Sequence, residues 1–246
     1  MSIADKLVTI AENMQRVYEA GKSQGGGGDD KAFWDIITNN NTRADWSYAF
    51  QYWNCEHIRP PYVIKPTKNL ISTMFGFNTA LKSVEKARFD FSGYTPTQTN
   101  GTSSWYKFFD GCENLETVED IGMKAGACYR TFAGCKKLET IEKLRVQAET
   151  VFNTTFAQCD NLQNITIEGT IGQNGFSVYA SNKISKASIL SILNACNKGN
   201  AGITVTLPSK CVDGATDTLA TITEDTELNT AYITATQINN YTISFV

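Results

Sequence analysis

Apolar side chains in the opening 21 residues fall on a narrow stripe. Ile3, Leu7, Ile10, Met14 and Val17 follow one another at intervals of 4, 3, 4 and 3. That spacing predicts a helix over residues 2–21, with Ser2 as N-cap and Asp5 three residues on in a capping-box arrangement. It is also a heptad seam, with Leu7 and Met14 at a and Ile3, Ile10 and Val17 at d. Leu at a with Ile at d favours three or four strands over two, so a homotrimer is the favoured self-assembly. An ordinary amphipathic helix packed on its own body would carry the same stripe. Gly21 ends the pattern, and the four glycines Gly25 to Gly28 read as a flexible hinge. They do not read as a phosphate loop, because no Gly-Lys-Ser/Thr follows them.

Beyond the hinge one pattern recurs. Phe75-Gly76-Phe77-Asn78-Thr79-Ala80-Leu81-Lys82-Ser83-Val84 is matched by Phe109 to Val118, Phe132 to Ile141 and Phe156 to Ile165. In each, Leu stands six residues after Phe and Val or Ile nine after. Cys occupies the +3 phase in the last three, as Cys112, Cys135 and Cys159. The Phe positions are 34, 23 and 24 apart. A period of 23 or 24 fits a leucine-rich repeat, whose units run about 20–29 residues. The longer step holds one unit plus a polar surplus over residues 93–104. Phe50, 25 residues before Phe75, opens a degenerate first unit that reaches Ile58 with a one-residue slip. One such unit cannot bury its apolar side. Stacked units can, with Phe, Cys, Leu and Ile in internal ladders and Leu-x-x-Val/Ile aligned as a parallel sheet on one face.

After the repeats the period changes. Ser185 to Cys196 has the cap and spacing of a buried helix. Ile203 to Leu207 and Tyr241 to Val246 alternate as strands, and Glu224 to Gln237 is weakly helical. This segment is expected to close the open end of the stack. The predicted fold is an α/β repeat solenoid with a parallel β-sheet face. Its divisions are an anchor helix (1–22), a hinge (23–30), the repeat body (31–184) and an α/β cap (185–246).

Composition narrows the chemistry. The chain of 246 residues has a formal net charge of -3, which argues against a nucleic-acid partner. Its 29 Thr and 20 Asn outnumber the charged residues, so the surface relies on neutral hydrogen-bonding groups. The opening residues do not read as a signal peptide, and no run reaches the roughly 18 apolar residues of a membrane span. Synthesis in a reducing cytoplasm without membrane insertion is the expectation. No paired C-x-x-C spacing occurs among the seven Cys, so thiol packing is expected rather than a metal site. His57 is the sole His, and no combination of residues identifies a nucleophile or an acid–base pair. No catalytic residue and no cofactor are expected. For ligand binding the candidates are Tyr94, Asn100, Trp105 and Tyr106, in or beside the polar loop, because loops on a rigid scaffold carry function disproportionately. Trp105 and Tyr106 equally read as core residues opening the next unit.

The repeat core, Phe-x-x-Cys-x-x-Leu-x-x-Ile, resembles the BspA-type leucine-rich repeat. The flanks Phe33-Trp34-Asp35, Thr42 to Phe50, Pro60-Pro61-Tyr62-Val63-Ile64 and Asn240 to Val246 resemble leucine-rich-repeat proteins of phages and prophages of gut Firmicutes. That resemblance implies a virion or tail-associated protein with other tail proteins as partners. It further implies a binding role toward a host-surface glycan or protein. A purely structural decoration protein and a bacterial surface adhesin are the alternatives.

Overall fold

A computed structural model of the chain describes residues 47, 48, 50–52, 56–58, 72–85, 105–120, 127–197 and 202–246. The expected seam of Ile3, Leu7, Ile10, Met14 and Val17, the hinge, and Tyr94 and Asn100 lie outside the described residues. Seven strands belong to the repeats: β1 (His57–Ile58), β2 (Ser83–Val84), β3 (Thr117–Asp120), β4 (Ala127–Tyr129), β5 (Thr140–Val146), β6 (Val151–Asn153) and β7 (Asn164–Gly169). Five of them form one parallel sheet in the order β1-β2-β3-β5-β7. Their register aligns Ile58, Val84, Val118, Ile141 and Ile165 across the sheet. These side chains point inward, as their near-zero exposure shows. β4 and β6 pair in parallel as a second, two-stranded sheet.

Between the sheets the repeat phases become physical rows. Phe50, Phe75, Phe109, Phe132 and Phe156 stack ring on ring, with centroids 5.0, 5.9, 5.6 and 5.7 Å apart. Offset-stacked rings gain about 0.5–1.5 kcal/mol per pair beyond area burial. Leu81, Leu115, Leu138 and Leu162 form a parallel, fully buried row. Cys112, Cys135 and Cys159 form another, and each thiol donates to the carbonyl of the preceding unit's Phe at 3.2, 3.2 and 3.0 Å. Cysteine suits this phase because it fills a small apolar slot while offering one weak donor. Burial pushes the Cys112 thiol up to about 12 and holds Cys135 and Cys159 well above the ordinary range.

The turn before each strand is held by a second ladder. In the units of Phe50, Phe75, Phe109 and Phe132 the N–H groups at phases −2, 0 and +2 from the Phe donate to carbonyls of the next unit. Thr73 bonds to Tyr106, Phe75 to Phe108 and Phe77 to Asp110, at 2.8, 3.0 and 2.7 Å, and the units of Phe50, Phe109 and Phe132 repeat the pattern. Bringing these N–H groups to one side requires left-handed backbone twice per unit. Tyr48, Thr73, Lys107, Arg130 and Thr154 at −2 all have φ between 48 and 59°. Tyr52, Phe77, Gly111, Gly134 and Gln158 at +2 have φ between 57 and 75°.

The C-terminal region seals the far edge of the sheet. Helix α1 (Lys186–Ala195) is capped by Ser185, whose hydroxyl accepts from the Ser188 N–H. It lies against β7, the last strand. The Ile165 and Ile167 N–H groups, which have no further strand to meet, donate to the hydroxyls of Ser188 and Ser191 at 2.8 Å each. An open edge is a template for association, and here two serines close it. β8 (Phe176–Ser177), β9 (Ile203–Leu207) and β12 (Tyr241–Phe245) form a parallel sheet in the order β12-β9-β8. The buried Tyr241 hydroxyl ties it to the repeats by donating to the Ile171 carbonyl at 2.7 Å. β10 (Lys210–Cys211) and β11 (Thr216–Asp217) pair antiparallel. The stretch expected as weakly helical from Glu224 begins earlier, with α2 (Thr218–Glu224) and α3 (Thr226–Ile233), followed by a π-helical turn over Thr234–Ile238. Asp217 and Asp225 cap α2 and α3 and so split the segment.

Candidate functional site

Two of the four loop-linked candidates are described, and the structure separates them. Trp105 is fully buried, with its indole edge-on to Phe108 at 4.8 Å. It stands four residues before Phe109, the phase that Cys128 and Phe152 hold before Phe132 and Phe156. All three are buried, and the hydroxyls of Thr131 and Thr155 donate to the Trp105 and Cys128 carbonyls. Trp105 is therefore a core row residue with no ring face open to a ligand. Tyr106 is half-buried, with the Lys107 ammonium 5.3 Å from its ring centroid.

The sheet face is occupied by its own charges. Arg145 makes a two-bond pair with Asp120 at 2.7 and 2.6 Å, and Lys143 lies 3.7 Å from Asp120 and 3.2 Å from Glu168. His57 Nδ1 is 2.8 Å from the Ser83 hydroxyl. Among the described residues no group of three or more His, Cys, Asp and Glu could hold a metal ion, and no helix is long and apolar enough to cross a membrane.

The turn face is different. At phase +2, Tyr52 and Phe77 stack with centroids 5.4 Å apart and planes 18° apart. Both rings face solvent, Tyr52 at 69% exposure and Phe77 at 37%, and Tyr48 at phase −2 is 54% exposed. The next residue at +2 is Gly111, φ +72°, and a Cβ there would come within 2.6 Å of the Phe77 ring. Glycine at 111 thus seats the Phe77 ring. Beside it, Arg130 donates from Nε and Nη2 to the buried Asp110 carboxylate at 3.3 and 3.0 Å.

Exposure of large rings sets this aromatic group apart from the rest of the turn face; the positive φ it shares with Thr73, Lys107, Arg130, Thr154 and Gln158. A non-glycine residue held at positive φ costs of order 1–3 kcal/mol. Tyr48, Tyr52 and Phe77 sit at 59, 58 and 57°, where glycine would sit without strain, and at the phase of Tyr52 and Phe77 two other units use it. Stacking of Tyr52 on Phe77 returns about 0.5–1.5 kcal/mol, and Phe77, covered by Tyr52 and Gly111, gains further from burial, whereas Tyr52 at 69% exposure gains little. Folding stability accounts least for Tyr52. None of Tyr48, Tyr52 and Phe77 reads from sequence as a candidate for ligand binding. The signal that finds Phe77 is the phase column at +2, which runs Tyr, Phe, Gly, Gly, Gln. No protein-family model matches the chain, and neither a curated protein nor a solved structure matches it.

Proposed function

We propose that the chain is a non-enzymatic recognition protein, a BspA-type leucine-rich-repeat solenoid that binds a host-cell surface as a tail-associated part of a phage particle. The in-register parallel strands and the stacked Phe and Cys rows support the solenoid reading. The resemblance of the flanks to phage and prophage proteins supports the virion setting. One observation carries the binding role: strained, solvent-exposed aromatic rings on a rigid stack, at phases where glycine would fold at less cost. In this reading the opening helix docks on the particle or trimerises through Ile3, Leu7, Ile10, Met14 and Val17, and the glycine hinge presents the body.

The test uses the full chain, fluorescently labelled, on whole cells of a panel of gut Firmicutes, with labelled antibody on purified particles in parallel. Decorated cells and labelled tails are the expected results. Labelled particles without cell binding would replace recognition by a decoration role. Unlabelled particles with labelled bacterial envelopes would replace the virion setting by a surface adhesin.

A further inference from the structure

We infer that the ligand of the turn face is a neutral glycan, with the face of one pyranose ring laid on Tyr52. This rests on the recognition reading above and names its ligand class. Tyr52 is the outermost described ring of the stack: Phe77 covers one side of it, and it remains 69% exposed. A flat, rigidly seated, electron-rich face is suited to the C–H groups on one side of a pyranose. The ring is held from behind, since Phe77 is itself seated over Gly111.

The described side chains of the turn that carries the ring are neutral. Tyr48, Gln51 and Tyr52 belong to one turn, closed by the Gln51 N–H donating to the Tyr48 carbonyl at 3.3 Å. Two phenol hydroxyls and a carboxamide can exchange hydrogen bonds with sugar hydroxyls and offer no charge for an anionic or cationic group. Arg130, farther along the face, is already committed to Asp110.

The size of the three-ring patch fits a small ligand better than a protein partner. Whole aromatic side chains bury about 150–250 Å² each, so three rings at these exposures offer at most about 400 Å². A stable protein interface needs about 800 Å² from each partner. A single sugar ring needs far less, and the weak affinity of one such site is multiplied when several copies act together, by about 10²–10⁴ in favourable geometry.

The experiment measures binding of the full chain to whole cells before and after mild periodate oxidation, which cleaves vicinal diols of pyranose rings, and to a printed array of defined bacterial polysaccharides. Binding to untreated cells, a loss of at least tenfold after periodate, and binding to neutral polysaccharides on the array are expected. Tyr52→Gly is the decisive variant. Glycine is already used at this phase and is free of strain at φ 58°, so thermal stability holds while binding falls at least tenfold. Tyr179→Ala, at an exposed tyrosine in the C-terminal region, leaves binding intact. Binding that survives periodate but not protease treatment of the cells would overturn the glycan and leave surface recognition standing. Periodate-sensitive binding that Tyr52→Gly does not weaken would overturn the site. Absence of binding to every cell and every polysaccharide would overturn the recognition reading itself.

Discussion

Asn78 occupies the phase that Cys112, Cys135 and Cys159 hold in the next three units, and Asn78→Cys is expected to stabilise the protein. Asn78 is fully buried, and neither its amide nitrogen nor its amide oxygen has a hydrogen-bond partner. An unpaired polar group in the interior costs about 1–3 kcal/mol. The backbone is ready for the exchange, because the Asn78 N–H bonds to the Phe75 carbonyl at 3.2 Å just as Cys112 bonds to Phe109 at 3.1 Å. The side chains are close in volume, so no large cavity opens. In the neighbouring unit the Cys112 thiol reaches the Phe75 carbonyl at 3.2 Å.

The expected gain is about 1–3 kcal/mol, from removing the unpaired amide more than from the weak thiol bond. For a chain of this size each kcal/mol moves Tm by about 2–4 °C. Urea unfolding under reducing conditions reads the change as a shift of midpoint at constant slope. The reciprocal Cys135→Asn places an amide in the same surroundings one row along and is expected to lose a similar amount. An unchanged or lower midpoint for Asn78→Cys would refute the reasoning, since the amide would then be satisfied in solution.

Three other perturbations probe the same architecture. Ser188→Ala strips the acceptor from the Ile165 N–H, which is expected to cost about 1–3 kcal/mol and to speed amide exchange at Ile165 while Ile141 stays protected; equal exchange at both would deny the edge seal. The Asp213 carboxyl, which accepts from the Ala215 and Thr216 N–H groups and the Thr216 hydroxyl, is held down at about 2. Its folded value lies below its ordinary one, so its contribution is present above about pH 4 and is lost as pH falls through about 2. Asp213→Asn should flatten that part of the pH–stability curve, and an identical curve would contradict the assignment. The thiols of Cys112, Cys128 and Cys196, each pushed up to about 12 by burial, should not react with Ellman's reagent in the folded state at pH 8 and should react on unfolding.

How much of this was legible from sequence depended on which rows repeat the same chemistry. Phe, Cys, Leu and Val or Ile recur at fixed offsets because each sits against its own copy in the next unit. Three of the seven Cys are thereby one structural position met three times. Ser185 and the spacing after it gave α1, because a helix cap and an apolar stripe are local features. Trp105 has two readings from sequence, as a loop-side binding residue or as a core residue opening the next unit; aligned with Cys128 and Phe152 it belongs to the core. The left-handed turns were not legible. Thr73, Lys107, Arg130 and Thr154 carry no glycine or asparagine signal, and in the first three an inter-unit hydrogen bond holds that backbone. Two of these are β-branched threonines, the least suited of residues to positive φ.

The same imposed backbone explains how an exposed aromatic platform can exist here. A lone tyrosine at positive φ on a loop would relax, and the ring would lose its orientation. In this stack the Tyr52 N–H is fixed to the Gly76 carbonyl at 3.0 Å and the Phe77 N–H to the Asp110 carbonyl at 2.7 Å, so each unit holds the previous one in the strained form. The left-handed backbone is a property of the repeat and is adopted by every unit, whatever its side chain. Evolution is then free to choose the residue at phase +2 by what it does at the surface. Glycine there folds without strain, and an aromatic ring there serves the recognition proposed above. The two are separable at Tyr52 because its side chain contributes one stacking contact to the fold and leaves its other face to solvent.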